Sequence, residues 1–312
     1  MVEMMLSMLS MLGRELRQMV RRPFAWVCLV TLAFAANSQA QNRAADLYES
    51  TDSLTLQVQN LYQRDVTGTV VITSYKPSGS GPFPILILNH GRSGTDRLQP
   101  ARFRYTQQAR YFVKRGFAVF VPTRIGYGEL GVSPDPEESG DCNQKNYAPM
   151  ASAASLQIAA VLAFAKLQSH VDAKRVVIVG QSVGGYSTIA AAAQNPDGLL
   201  AAINFAGGSG GNPKTRPGEP CEGYKLEKMY ATFGATSKVP TLWIYTENDQ
   251  YFGPKHSQAW HQAFVTSGGR AEFNLLPAFG ADGHMLFAMG APLWEPIVAR
   301  FLEANGLTEP KQ

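Results

Sequence analysis

This chain of 312 residues has no basic run, no metal-ligand spacing, no nucleotide-binding motif and no internal repeat. Each absence removes a class of function. Its 28 Lys+Arg stand against 24 Asp+Glu, and because residues 1–40 hold four Arg and two Glu, the remainder carries 24 against 22. So even a balance leaves no electrostatic footprint for nucleic acid. Without ligand-spaced His, Cys, Asp or Glu and without a glycine-rich phosphate loop, no metal and no cofactor is implied. The lack of repeats and low-complexity tracts, with 45% hydrophobic content, points to one substantial core or at most two domains.

Cysteine and long apolar runs are also scarce, and their placement is informative. Near the N-terminus Arg21-Arg22 precede an apolar stretch from Phe24 to Ala36, followed by Asn37-Ser38-Gln39-Ala40. That is a positive n-region, an h-region short for a bilayer span, and an A-x-A-like site. The expectation is a signal peptide over residues 1–40, cleaved after Ala40, leaving a single domain over 41–312. The product would be secreted or periplasmic, without stable membrane insertion. An uncleaved anchor is the competing reading. Of three cysteines, Cys28 leaves with the signal, and Cys142 and Cys221 remain in polar, Pro/Gly-rich loops. An even pair bound for an oxidising compartment is expected to form a disulfide.

Past Ala40 short strands and helices alternate. Thr55–Tyr62 and Gly68–Tyr75 read as an antiparallel opening pair. Continuous apolar runs at Pro84–Asn89, Phe117–Val121, Arg175–Val179, Leu199–Phe205, Thr241–Tyr245 and Glu272–Leu276 read as strands of a buried sheet. Helices are expected over Ala101–Arg115, Tyr147–Gln168, Gly185–Ala193, His256–Val265 and Pro292–Ala304. This order implies an α/β fold: a mostly parallel, doubly wound sheet with helices on both faces. Two long stretches, Thr123–Asn146 and Ala206–Gly223, follow strand carboxyl ends and read as loop insertions over the ligand crevice.

Gly180-Gln181-Ser182-Val183-Gly184 sits between the Arg175–Val179 strand and a helix of small residues. Strand, sharp turn, helix is the setting a nucleophile elbow needs, with Ser182 at its tip. A serine hydroxyl is a weak nucleophile and requires a base, which in turn requires an orienting acid. In such folds the order along the chain is serine, acid, histidine. His90 and His170 precede Ser182, and His256 and His261 fall on a helix. His284 is left, in the Gly-rich Gly280–His284 loop. Asp249, after the Thr241–Tyr245 strand, is the expected acid, with Glu247 as substitute if the turn is tighter and Asp282 shaping the histidine loop. The oxyanion hole should combine the backbone N–H of Val183 with that of Arg92 in Asn89-His90-Gly91-Arg92-Ser93-Gly94. Ser93 is the second choice of donor, and His90 is expected to shape the loop by a structural hydrogen bond.

With His90-Gly91, Gly126-Tyr127-Gly128, Gly180–Gly185, Asp249 and His284 in place, the chain resembles the α/β-hydrolase superfamily over roughly residues 68–304. Within it the chain is similar to the dienelactone hydrolase-like and prolyl oligopeptidase-like branch. It departs from dienelactone hydrolase in carrying Ser182 where that enzyme has cysteine, and from prolyl oligopeptidase in lacking a propeller-length N-terminal domain. The resemblance implies a serine hydrolase and leaves the substrate open; the first reading is cleavage of carboxylic esters, small or polymeric, through an acyl-enzyme. A peptidase or amidase using the same triad is the alternative, and a non-catalytic binding protein on this scaffold the third reading. Oligomeric state is left open.

Overall fold

The computed structural model describes residues 47–307 apart from 94, 95 and 133. The expected signal segment, its expected cleavage after Ala40 and Cys28 lie outside the described residues. From Leu47 onward the chain forms one compact unit.

Eight strands form one sheet in the order β1-β2-β4-β3-β5-β6-β7-β8. β1 (Tyr48–Gln59) and β2 (Asp65–Lys76) are an antiparallel ribbon, and β2 also runs antiparallel to β4 (Ala118–Thr123). The rest pair in parallel: β3 (Phe83–Asn89), β5 (Val171–Gln181), β6 (Leu199–Phe205), β7 (Pro240–Thr246) and β8 (Arg270–Leu276). The central strands read as unbroken apolar runs because both of their faces are covered. Leu86, Leu88, Val119, Val177 and Val179 point to one side, against α1 (Thr106–Lys114) and α7 (Ala291–Ala304). Their neighbours Ile85, Ile87, Phe120, Val176 and Ile178 point to the other, against α2 (Tyr147–Lys166). That second face continues over α3 (Val183–Ala192), α4 (Gly223–Thr236) and α5 (Pro254–Thr266). Each fully buried Val, Ile, Leu or Phe contributes about 1.5–3 kcal/mol, so the sheet is the rigid part of the molecule.

Several element bounds differ from the sequence reading. The opening ribbon is longer and turns at Asn60, whose side chain accepts the amide N–H groups of Tyr62 and Arg64; Leu61 and Tyr62 belong to that turn. Helix α1 starts at Thr106 rather than Ala101. The preceding residues are drawn away by Phe103 N–H donating to Thr123 Oγ1 and Glu129 N–H donating to Ala101 O, and Tyr105 at the N-cap is left-handed. Helix α4 had no counterpart in the sequence reading, although Leu226, Tyr230 and Phe233 mark its buried face at helical spacing. His284 lies not in an open loop but in a 3-10 turn, Gly283–Met285, that leads into α6 (Leu286–Met289).

Candidate active site

β5 ends at Gln181 and α3 begins at Val183, so Ser182 is the single residue that turns the chain. It takes φ 57 and ψ −124, a conformation that costs an L-residue on the order of 1–3 kcal/mol and persists only where its surroundings enforce it. Ser182 N–H donates to Phe205 O at 2.9 Å, and Ser182 O accepts the N–H groups of Tyr186 and Gly208, both at 3.1 Å. The β3 end crosses directly above: a Cβ on Gly184 would lie 2.4 Å from both Asn89 O and His90 O. Only glycine lets the elbow and that strand end touch.

The carboxyl end of β7 delivers Asp249, which is almost fully buried. Its Oδ1 accepts the N–H groups of Tyr251 at 2.8 Å and Phe252 at 2.9 Å, which fixes the carboxylate in the turn after the strand. Its Oδ2 meets His284 Nδ1 at 3.0 Å, with Oδ1 at 3.2 Å. A carboxylate can only accept, so Nδ1 carries the proton and Nε2 is left as the basic nitrogen. The imidazole is stacked under Tyr251 at 4.3 Å between centroids and edged by Phe252. Asp282 accepts His284 N–H and Gln250 N–H, each at 3.0 Å, and so shapes the turn as its position in the sequence suggested. Gln181, one residue before the elbow serine, donates to His284 O at 3.1 Å and ties the two segments together.

Val183 is the first residue of α3, so its N–H has no intrahelical acceptor, and the positive end of the helix dipole lies there. Opposite, a Cβ on Gly91 would stand 3.0 Å from Ser182 Cβ, placing the Gly91–Arg92 peptide against the serine. The Arg92 guanidinium is occupied elsewhere, donating to Glu138 Oε2 and to Glu137 O, each at 3.1 Å. It also approaches Asp135 Oδ2 at 2.9 Å, a charge contact without hydrogen-bond alignment, because that oxygen has no hydrogen-bond partner. Ser182, Val183 and Arg92 line one cavity of about 230 Å³, walled by Glu138 and Lys145 from one insertion and Ser209 from the other. A roomier groove of about 460 Å³ beside α2 and α4 contains no titratable side chain, so volume alone does not mark the chemistry.

Both insertions follow strand carboxyl ends, and Cys142 and Cys221 join them in a disulfide with 5.0 Å between Cα atoms. Lys145 N–H donates to Glu222 Oε2 at 2.6 Å beside the bridge. Tyr147 Oη donates to Cys221 O at 2.5 Å from the start of α2. Four site residues escaped the sequence reading: Gln181, Tyr105, Arg124 and Glu137. Tyr105 donates to Gln181 Oε1 at 3.3 Å, and burial pushes its phenol up to about 12. Arg124 and Glu137 are fully buried and paired beneath the Gly91 loop. The signal for the pair was weak: an Arg right after an apolar strand and one Glu in an acidic cluster.

Residues 73–286 match the profile of the Dienelactone hydrolase family. No curated protein matches by sequence. Among solved structures, an acetyl xylan esterase from Paenibacillus sp. R4 aligns with TM-score 0.53 at 20% identity, over 88% of this chain and 93% of that one. A dienelactone hydrolase candidate from Klebsiella pneumoniae aligns with TM-score 0.53 at 17% identity, covering 81% and 98%. The acylaminoacyl peptidase of Pyrococcus horikoshii aligns with TM-score 0.56 at 14% identity, over 84% of this chain and only 43% of that one. At these identities the three likenesses speak for the fold: an eight-stranded α/β-hydrolase sheet with its loops gathered at the strand carboxyl ends. With the profile spanning more than two thirds of the residues, this hydrolase-fold chain belongs to the dienelactone hydrolase family.

Proposed function

We propose that this protein is a serine hydrolase that cleaves carboxylic esters through an acyl-enzyme, with Ser182 as nucleophile, His284 as base and Asp249 as orienting acid. The observation that carries the reading is the pairing of His284 Nδ1 with Asp249 Oδ2 at 3.0 Å in the fold whose strained elbow presents Ser182. Ser182 Oγ attacks the ester carbonyl carbon while His284 Nε2 takes the hydroxyl proton. The C=O π electrons move to oxygen, and the N–H groups of Val183 and Arg92 receive that oxyanion. Collapse of the intermediate expels the alkoxide, which leaves as alcohol with the proton from His284. Water then repeats the sequence on the acyl-enzyme and frees the acid and Ser182.

The substrate is a small or polymeric ester, and the reaction as drawn uses side chains and backbone alone. The nearby peptidase fold keeps amide cleavage as the second reading. Side-by-side turnover of p-nitrophenyl acetate and a peptide anilide separates them: faster anilide hydrolysis would reverse the assignment. A fluorophosphonate label mapped to Ser182 by mass spectrometry tests the nucleophile, and an unlabelled serine would sink it. The disulfide between Cys142 and Cys221 supports export to an oxidising compartment. N-terminal sequencing of the exported protein should begin at Gln41, while a retained residue 1–40 segment would favour the anchor.

A further inference from the structure

We propose that His90 and the buried Arg124–Glu137 pair behind it are positioning residues that aim the Arg92 amide into the oxyanion hole. The inference rests on the serine-hydrolase reading, which names Arg92 N–H as a donor.

The Gly91–Arg92 peptide has little to hold it by itself, because Gly91 has no side chain to limit its backbone. Its carbonyl is nevertheless pinned: His90 Nδ1 lies 2.6 Å from Gly91 O. A carbonyl only accepts, so Nδ1 must bear the proton. In a trans peptide the C=O and N–H point in opposite directions, so fixing Gly91 O fixes where Arg92 N–H points.

The rest of the neighbourhood enforces that tautomer. His90 Nε2 lies 3.1 Å from Arg124 N, whose N–H donates to it, and a proton on Nε2 would face that N–H head on. The ring is fully buried, stacked on Phe103 at 3.8 Å between centroids and edged by Tyr127. Burial, and then the nearby Arg124 charge, hold His90 neutral by lowering its pKa well below the ordinary value.

Arg124 is held in turn. Its Nε and Nη2 donate to the two Glu137 oxygens at 2.6 and 3.1 Å, and Nη2 also donates to His90 O at 3.1 Å. Tyr127 Oη and Gln157 Nε2 donate to the same carboxylate at 3.0 and 3.3 Å. Glu137 also reaches the far side of the peptide, because its backbone O accepts Arg92 Nη1. A buried ion pair of this kind is weak as a stabiliser, since desolvation offsets most of its attraction. What it does here is hold His90 O and the Arg92 side chain, while the His90 ring between them holds Gly91 O.

Two exchanges separate the two ring nitrogens. His90→Asn can keep a donor near the Nδ1 position but has nothing at Nε2. His90→Gln can place an acceptor near Nε2 but loses the donor to Gly91 O. With p-nitrophenyl acetate, His90→Gln should lower kcat about 30-fold with KM within about threefold, somewhat less than deleting a donor outright. Inhibition by a small trifluoromethyl ketone, whose hemiketal oxygen occupies the hole, should weaken by a similar factor. His90→Asn should keep about tenfold more kcat than His90→Gln. A folded His90→Gln protein with kcat within threefold of wild type, a loss confined to KM, or equal losses in the two variants would overturn the proposal. If the Gln variant does not fold, nitrogen-15 NMR of histidine in the wild type decides: a neutral Nδ1–H tautomer for His90 supports it, and an Nε2–H tautomer refutes it. A wild type left unlabelled at Ser182 by fluorophosphonate sinks the hydrolase reading and this one with it. A labelled wild type with an indifferent His90→Gln sinks this one alone.

Discussion

Two buried histidines flank Ser182, and they differ in what their nitrogens are left to do. His284 binds Asp249 through Nδ1, and its Nε2 makes no hydrogen bond among the described residues. His90 spends both nitrogens, Nδ1 on Gly91 O and Nε2 on the Arg124 N–H. Both rings are stacked by an aromatic, Tyr251 over His284 and Phe103 over His90. Burial and stacking therefore do not distinguish a base from a structural histidine. The distinction is one uncommitted nitrogen. A ring with a carboxylate at its back and an open front can shuttle a proton, whereas one bonded at both ends can only hold backbone in place.

The comparison breaks most sharply on the acid–base side. His284→Ala and Ser182→Ala should each lower kcat on an activated ester by about 10⁵–10⁶-fold with an unchanged fold. Circular dichroism and initial rates check both, and an active His284→Ala enzyme would move the base elsewhere. That loss exceeds by orders of magnitude the effect expected from His90. Next in size is Asp249→Asn, which leaves the geometry but removes the acceptor that selects the tautomer. It should lower kcat by about 10⁴-fold. A loss no larger than His90→Gln would mean that His284 does not need its partner.

The insertions sharpen the comparison through stability more than rate. The bridge spans 79 positions, which sets an entropic contribution of roughly 4–5 kcal/mol as an upper limit. Cys142→Ser should therefore lower Tm and broaden acyl selection, while Ser182 still labels with a fluorophosphonate. An unchanged Tm together with an unchanged ester profile would show that Glu222 and Tyr147 hold the loops without the bridge.

The smallest effect concerns pH at the anchor of Arg92. Burial, opposed by the Arg92 charge, pushes the Asp135 carboxyl up to about 6. An unfolded aspartate titrates near pH ~3.9, so folding takes up a proton between those values. Asp135 therefore reduces stability as pH rises from about 4 to about 6, with its full penalty present above that window. Across the window, as pH rises, the denaturant midpoint of wild type should fall relative to that of Asp135→Asn. Equal slopes would refute the assignment. His90, held neutral by burial, contributes in the opposite sense below about pH 6.5, stability rising with pH, but equally in both proteins, so it cancels in their comparison.

Much of the architecture was legible before any coordinates. β6 falls on Leu199–Phe205 as read, because a fully buried parallel strand is a bare apolar run bounded by turns. The elbow was legible because the strand, the Gly-flanked serine and the small-residue helix follow one another directly in the chain, although the contact that requires Gly184 is with Asn89 and His90, far off in sequence. Helix α4 was missed because it follows a Gly/Pro-rich insertion and begins at a left-handed Glu222, with no capping signal at its start. The N-terminal part of the expected first helix was lost to Phe103 and Ala101, whose backbone groups bond to residues 20 and 28 positions away.

The sequence by itself determined the sheet, the elbow at Ser182, the Ser–Asp–His order, and the two cysteines that could meet. These depend on local spacing, on hydrophobic periodicity and on the short list of residue types able to do the chemistry. Only the tertiary structure decided which histidine keeps a free nitrogen, that the Arg92 guanidinium is occupied while its peptide lies against Ser182, and that Arg124 and Glu137 stand behind the loop. Those outcomes depend on hydrogen bonds between segments 13 to 46 residues apart and, for the Arg92 peptide, on packing against Ser182 from 91 positions away. A donor finds its acceptor there only after the sheet has fixed where both strand ends lie, and no spacing along the chain encodes that distance.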